Sequence, residues 1–358
     1  MSVGPLGKRL SPGDAVGDWV VVAPDPISHD AYRVRKSRGD REEGLLELFH
    51  ETPTDEVRQH MAEKLEQLES IRDKRVPRLL DGDMESDLAY LVSEAPPRGR
   101  LSAKMQGFLA TELSPPDLAA SILRALDLLH SVGLCHGDIR PDTLGLRSDG
   151  TIELCGLRSI LDAGSITLVY GDRVHPSVSY TPPEALNPGR TDLRPADIYA
   201  LGVILYEALT RQVAYDLTPT KGAKAAAMKV LLAKRSQACL DPGEDAGPEF
   251  RKLVMGLTAK SADERPNVTE ALGSLHLESD VPIPAPPPPP KVVEAFEPQA
   301  PAHDPLGLFD LEIDLPPRAT ELPALKRPGQ GASLPESTAL TLFLLISVGL
   351  GFLVYLVS

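Results

Sequence analysis

Short β-branched runs and longer stretches with apolar residues three and four apart alternate along this chain. Trp19 to Ala23 is one such run and predicts a first strand. A turn, Pro24-Asp25-Pro26-Ile27-Ser28-His29-Asp30, leads into alternating Tyr32 and Val34, a second strand, and Gly44 to Phe49 predicts a third. Over residues 55–73, Val57, Met61, Leu65, Leu68 and Ile71 recur in steps of four and three, the mark of a helix packed on one side. Thr52-Pro53-Thr54-Asp55 opens it with capping residues and an early acid. Arg78-Leu79-Leu80 and Leu88 to Val92 predict a hairpin. Ser114-Pro115-Pro116-Asp117 then supplies a cap hydroxyl, a first-turn proline and an acid, so a second long helix starts there. Its apolar face is Leu118, Ile122, Ala125, Leu126 and Leu129, and Gly133 suits its end. Residues 197–209 are apolar nearly all round, which predicts a buried helix rather than an amphipathic one.

The pattern changes at both ends. Residues 1–15, rich in Gly, Pro and Ser, predict a disordered arm. From Leu277 onward, Val281-Pro282-Ile283-Pro284 leads into Pro286 to Pro290, a polyproline II spacer that also has the composition of a ligand for an aromatic-lined groove. Within this 277–336 linker, residues 308–315 alternate acidic and apolar side chains, which fits either a docking peptide or a chance apolar cluster. Ser337 to Ser358 carries no charged side chain, and Thr338 to Val357 matches the roughly 20 apolar residues that a bilayer-crossing helix needs. The nearest cations, Lys326 and Arg327, precede the span, and no apolar leader opens the chain. The expectation is a single C-terminal membrane anchor over 337–357 with everything before it in the cytoplasm.

Charge and cysteine content narrow the partners. Lys plus Arg number 37 against 51 Asp plus Glu, a net charge of −14 that repels nucleic acid. Cys135, Cys155 and Cys239 form no C-x-x-C pair, so neither a zinc ribbon nor a disulfide framework is indicated.

The chemistry-bearing stretch is His136-Gly137-Asp138-Ile139-Arg140-Pro141-Asp142-Thr143, at the end of the second long helix. It resembles the catalytic loop of protein kinases, H-R-D-L-K-x-x-N, with His136, Asp138 and the cation Arg140 in register. Further along, Ser177 to Glu184 is similar to the end of a kinase activation segment. The run beginning at Asp197 resembles the buried central helix of these proteins. Arg265 matches the arginine that pairs with the Glu184 position. The resemblance covers residues 16–276 and implies an α+β, two-lobe protein-kinase-like fold: N-lobe 16–94, hinge near Ser93 to Leu101, C-lobe 95–276. His136, Glu184, Asp197 and Arg265 take structural roles in it.

The same resemblance exposes departures. Gly137 replaces the family arginine. The turn that should be glycine-rich and close over phosphates holds no glycine and two prolines, which lack an N–H to donate. Glu47 falls where the family has its phosphate-holding lysine, and Lys64 falls where the family has the helix glutamate that pairs with it. One reading is an ion pair exchanged in sign; the other is two charges on wet faces. The magnesium-ligand positions hold Leu154 and Thr143. The expectation is a pseudokinase: a membrane-tethered binding and scaffolding module that engages proteins through its lobe surfaces or residues 308–315, with no cofactor. The alternative is an atypical active serine/threonine kinase using ATP and magnesium with relocated ligands, Glu153 among them. A third is a nucleotide-sensing switch without turnover.

Overall fold

The computed structural model describes residues 9–25, 30–38, 42–49, 53–86, 88–95, 100–101, 113–147, 149–161, 169–170, 173–186, 192–217 and 222–277. The first part of the chain builds a sheet from β1 (Ala15–Val16), β2 (Trp19–Pro24), β3 (Ala31–Lys36), β4 (Glu43–Leu48), β5 (Leu79–Asp83) and β6 (Tyr90–Ser93). All pairings are antiparallel and the spatial order is β1-β2-β3-β4-β6-β5. Its core is Trp19, Val21, Tyr32, Val34, Leu46, Leu48, Tyr90 and Val92. The indole N–H of Trp19 donates to Asp81 Oδ2 at 2.7 Å, so the ring is buried without an orphaned donor.

The predicted disordered arm is part of this lobe from Arg9 onward. Leu10 and Val16 are buried in its core, the Leu10 N–H reaches the Tyr32 hydroxyl, and β1 extends the sheet. Two apolar residues in a Gly- and Pro-rich stretch suffice to dock it.

Between β4 and β5 lies α1 (Asp55–Ser70), opened by Thr54, whose hydroxyl accepts from the Val57 N–H. Met61 and Leu68 are its buried residues, while Val57, expected on the packed face, is 43% exposed in the first turn.

The second part is mostly helical. It runs α2 (Pro115–Ser131), the hairpin β7 (Leu144–Leu146) and β8 (Ile152–Leu154), α3 (Leu157–Leu161), the ribbon β9 (Val169–Tyr170) and β10 (Arg173–Val174), then α4 (Ser177–Tyr180), α5 (Arg194–Thr210), α6 (Ala223–Ser236), α7 (Pro248–Leu257) and α8 (Val268–Ser274). Ser114 caps α2 as its sequence predicts, accepting from the Asp117 N–H at 3.3 Å. Helix α5 is the axis of this lobe, buried from Asp197 to Leu205 and packed against α2 and α7. The approach to α7 is set by Gly202: a Cβ there would lie 2.6 Å from the Thr258 methyl and 2.8 Å from the Leu257 Cβ. The linker and the apolar C-terminal stretch lie outside the described residues. Among those described, no helix is long and apolar enough to cross a membrane.

Candidate functional site

The loop His136–Thr143 leaves α2 and is held from beneath by Asp197 in the first turn of α5. One carboxylate oxygen of Asp197 accepts from the His136 N–H and the other from the Gly137 N–H, both at 2.8 Å, and His130 Nε2 lies 3.0 Å away. Gly137 has φ +78°, a left-handed backbone that glycine enters without strain and that aims its N–H at Asp197. This explains a glycine where the family carries arginine. The His136 ring is fully buried, its Nε2 2.7 Å from the Cys155 carbonyl oxygen. That carbonyl can only accept, so Nε2 carries the proton and Nδ1 accepts from the Asp138 N–H. The histidine therefore ties the loop to the strand end at Cys155.

The two retained catalytic positions meet. Arg140 Nε donates to Asp138 Oδ2 at 3.0 Å, and Arg140 Nη1 donates to Asp142. The other oxygen of Asp138 accepts the Ser177 hydroxyl at 2.6 Å. Burial pushes the Asp138 carboxyl up, but the Arg140 charge and the bonds from Ser177 and Arg140 outweigh it and hold the group below the ordinary aspartate value. Burial likewise works against the Arg140 charge, and Asp138 and Asp142 more than restore it. His175 borders the same cluster; burial first, then the Arg140 charge, lowers its imidazole to about 4. Thr143 turns inward: its hydroxyl donates to the Asp138 carbonyl at 2.7 Å and accepts from the Arg140 N–H at 3.1 Å. It braces the loop rather than offering an oxygen to the cleft.

Between the lobes, Asp25, Ala31, Glu47, Arg100, Asp138, Arg140, Asp142, Thr143, Gly156, Arg158 and Ser159 surround a cavity of about 40 Å³. Glu47 projects from β4, is 8% exposed, and its Oε2 has no hydrogen-bond partner. Among the described residues no ion pair between Glu47 and Lys64 is seen. Lys64 instead donates to the carbonyls of Ile160 and Leu161 in α3, at 3.2 and 2.9 Å. Leu154 is a fully buried core side chain. Glu153 faces the other side of its strand, paired with Arg147, and does not border the cavity. Burial raises its carboxyl above the usual range despite that arginine. A magnesium–nucleotide needs a lysine on the phosphates and oxygen donors on the metal. Here a carboxylate, an aliphatic side chain and an inward-turned hydroxyl stand at those places, so this donor set does not fit one. Among the described residues no group of three or more His, Cys, Asp or Glu side chains is placed to hold a metal ion.

Two of the positions given structural roles by the resemblance lie in contact. Arg265 grips Glu184 through two parallel bonds of 2.6 and 2.7 Å, and it also donates to the carbonyls of Pro195 and Ala259. Ser177, Asp142, His175 and Arg100 belong to the site without having been singled out from the sequence. Ser177 sits in the stretch matched to the activation segment, and Asp142 in the loop itself, so a motif signal existed for both. Arg100 falls in the stretch predicted as the hinge, Ser93 to Leu101, with no role assigned to it. Lys234, at the end of α6, gave no signal at all, yet it is 1% exposed and its ammonium donates to the carbonyls of Val178, Ser179 and Thr181, just after Ser177. Cys135 and Cys155 are pushed up to about 12, chiefly by burial, and are not nucleophiles.

Comparison with known proteins agrees with this geometry. The protein kinase domain profile matches residues 41–277. The chain is 30% identical over 173 residues to the serine/threonine-protein kinase PknL of Mycobacterium tuberculosis, covering 45% of this chain and 40% of that protein. It is 33% identical over 102 residues to a probable serine/threonine-protein kinase PknB of Lactococcus lactis, covering 28% and 16% respectively. A probable serine/threonine-protein kinase of Clostridium perfringens is 26% identical over 149 residues, 41% of this chain and 22% of that protein. The chain thus spans less than half the length of these curated relatives.

Proposed function

The chain belongs to the protein kinase domain family, and we propose that within it this is a pseudokinase, a scaffold that presents kinase-like surfaces without transferring phosphate. The observation that carries the reading is Glu47: a buried carboxylate stands where the family holds a phosphate with a lysine, in a cavity of about 40 Å³. Typical small-molecule pockets span roughly 300–1,000 Å³. Leu154 and Thr143 support it, since neither presents an oxygen to a magnesium ion in the cleft. The scaffold engages partner proteins in signalling through its lobe surfaces or residues 308–315, and residues 338–357 tether it to a membrane with the kinase-like domain on the cytoplasmic side.

One observation favours the rival reading, an atypical active serine/threonine kinase. Asp138 is held ionised with a hydroxyl, that of Ser177, 2.6 Å from its carboxylate. This is the geometry a base presents to an acceptor. Glu153, the carboxylate that reading would recruit for magnesium, is committed to Arg147. The deciding experiment incubates the full chain with γ-labelled ATP and magnesium or manganese, alone and with general acceptor proteins. The expected result is no incorporation above that of Asp138→Asn. Incorporation that Asp138→Asn abolishes would overturn the proposal.

A further inference from the structure

Two buried charges border the cleft cavity with a hydrogen-bonding position unmet. Glu47, 8% exposed, reaches it from β4 in the small lobe. Its Oε2 is fully buried and has no hydrogen-bond partner. Arg100, 7% exposed, reaches it from the connection between the lobes, where its backbone bridges to Gly145 in β7. Its Nη1 is also buried and without a partner. Each thus has one buried polar atom unmet, Oε2 of Glu47 and Nη1 of Arg100, and both residues line one cavity; Glu153 Oε1 is a third such atom, and the Arg100 charge also acts on that carboxyl.

The other cations around Glu47 have contacts of their own. Arg140 is shared between Asp138 and Asp142, Arg158 donates through Nη1 to the Leu48 carbonyl, and Lys64 donates to the carbonyls of Ile160 and Leu161. A space of about 40 Å³ accommodates a water, which needs only about 10–15 Å³ of such space. A water accepting from a guanidinium and donating to a carboxylate satisfies both at little entropic cost. An unpaired buried charge is among the costliest defects a fold can hold, and a shared solution removes two at once.

We propose that Glu47 and Arg100 form a water-bridged ion pair that locks the interlobe cleft from inside, in the space where a nucleotide would enter. The lock deepens the pseudokinase reading and rests on it for its meaning: the family's lysine and the phosphates it holds are replaced by a carboxylate and an arginine of the chain itself. Glu47 thereby gains its counter-charge from the hinge side of the cleft rather than from α1.

The test is a double-mutant cycle on the full chain in mild detergent, with unfolding followed by Trp19, the chain's one tryptophan, which lies in the small-lobe core. The variants are Glu47→Gln, Arg100→Met and the pair together. Each single change strands the opposite charge and is expected to lower Tm by about 5 °C or more. The double variant removes both charges and is expected to lose no more than the worse single variant. Additive losses, or losses within experimental error in both singles, would overturn the lock. If neither single variant folds, the double variant decides: a folded double supports the lock and an unfolded one overturns it. Addition of magnesium–ATP to the wild-type chain separates this proposal from the reading beneath it. Coupling together with saturable ATP binding would sink the pseudokinase reading and leave the pair standing. No coupling and no ATP binding would do the reverse.

Discussion

Removing Arg265 tests the frame on which the whole helical lobe hangs. Its side chain is fully buried and Glu184, its partner, is 13% exposed. The guanidinium makes two short bonds to that carboxylate, donates to the carbonyls of Pro195 and Ala259, and stacks 4.9 Å from the Tyr199 ring centre. Arg265→Ala leaves Glu184 charged, largely buried and unpaired, and orphans at least two carbonyls. Breaking a buried pair from one side costs about 3–5 kcal/mol. At about 2–4 °C per kcal/mol for a domain of this size, Tm should fall by roughly 6–20 °C. Arg265→Lys keeps the charge but loses the planar fork, so it should recover only part of that loss. Glu184→Gln in the Arg265→Ala background should then cost little more, because the two residues act as one unit. Differential scanning calorimetry on the three variants decides the matter. A Tm change below about 2 °C for Arg265→Ala, or full recovery by lysine, would refute the reasoning.

The remaining predictions concern pH, a buried ammonium and location. His175 is held at about 4 against 6.5 when free, so between those values the unfolded chain binds the extra proton. Stability should therefore fall as pH drops from 6.5 to 4, by up to about 3 kcal/mol, and denaturant titrations of His175→Gln should lack that part of the slope. Lys234→Met removes the donor to three carbonyls and should cost about 2–4 kcal/mol, with faster amide exchange in 178–181 than elsewhere in the lobe; unchanged exchange there would contradict its role. Apolar residues 338–357 should keep the full chain with membranes through high-salt and carbonate washing, whereas recovery in the wash would remove the tether.

What was legible in the sequence was whatever has a local cause. The cap at Ser114, the stripe of α2 and the all-round apolar run of α5 each follow from residues a turn or two apart. Glu184–Arg265 was legible across 81 positions only because both fall in recognisable motifs. The partner of Glu47 was not. Sequence spacing places Lys64 near the family position, but the amine finds two helix-end carbonyls, which a charge pattern does not display. Arg100 and Lys234 were missed for the same reason: a long cationic side chain in a hinge or at a helix end looks solvated until the surrounding fold buries it. The short strand β1 (Ala15–Val16) was missed because a two-residue pairing leaves no period to read.

The most direct measurement is a calorimetric titration of the full chain with ATP, once with magnesium and once with excess chelator. The account predicts no saturable magnesium-dependent heat, because Glu47 sets a carboxylate where the family holds phosphate with a lysine, and at the two metal-ligand positions Leu154 has no oxygen and the Thr143 hydroxyl is turned into the loop. Saturable binding that requires magnesium would contradict it.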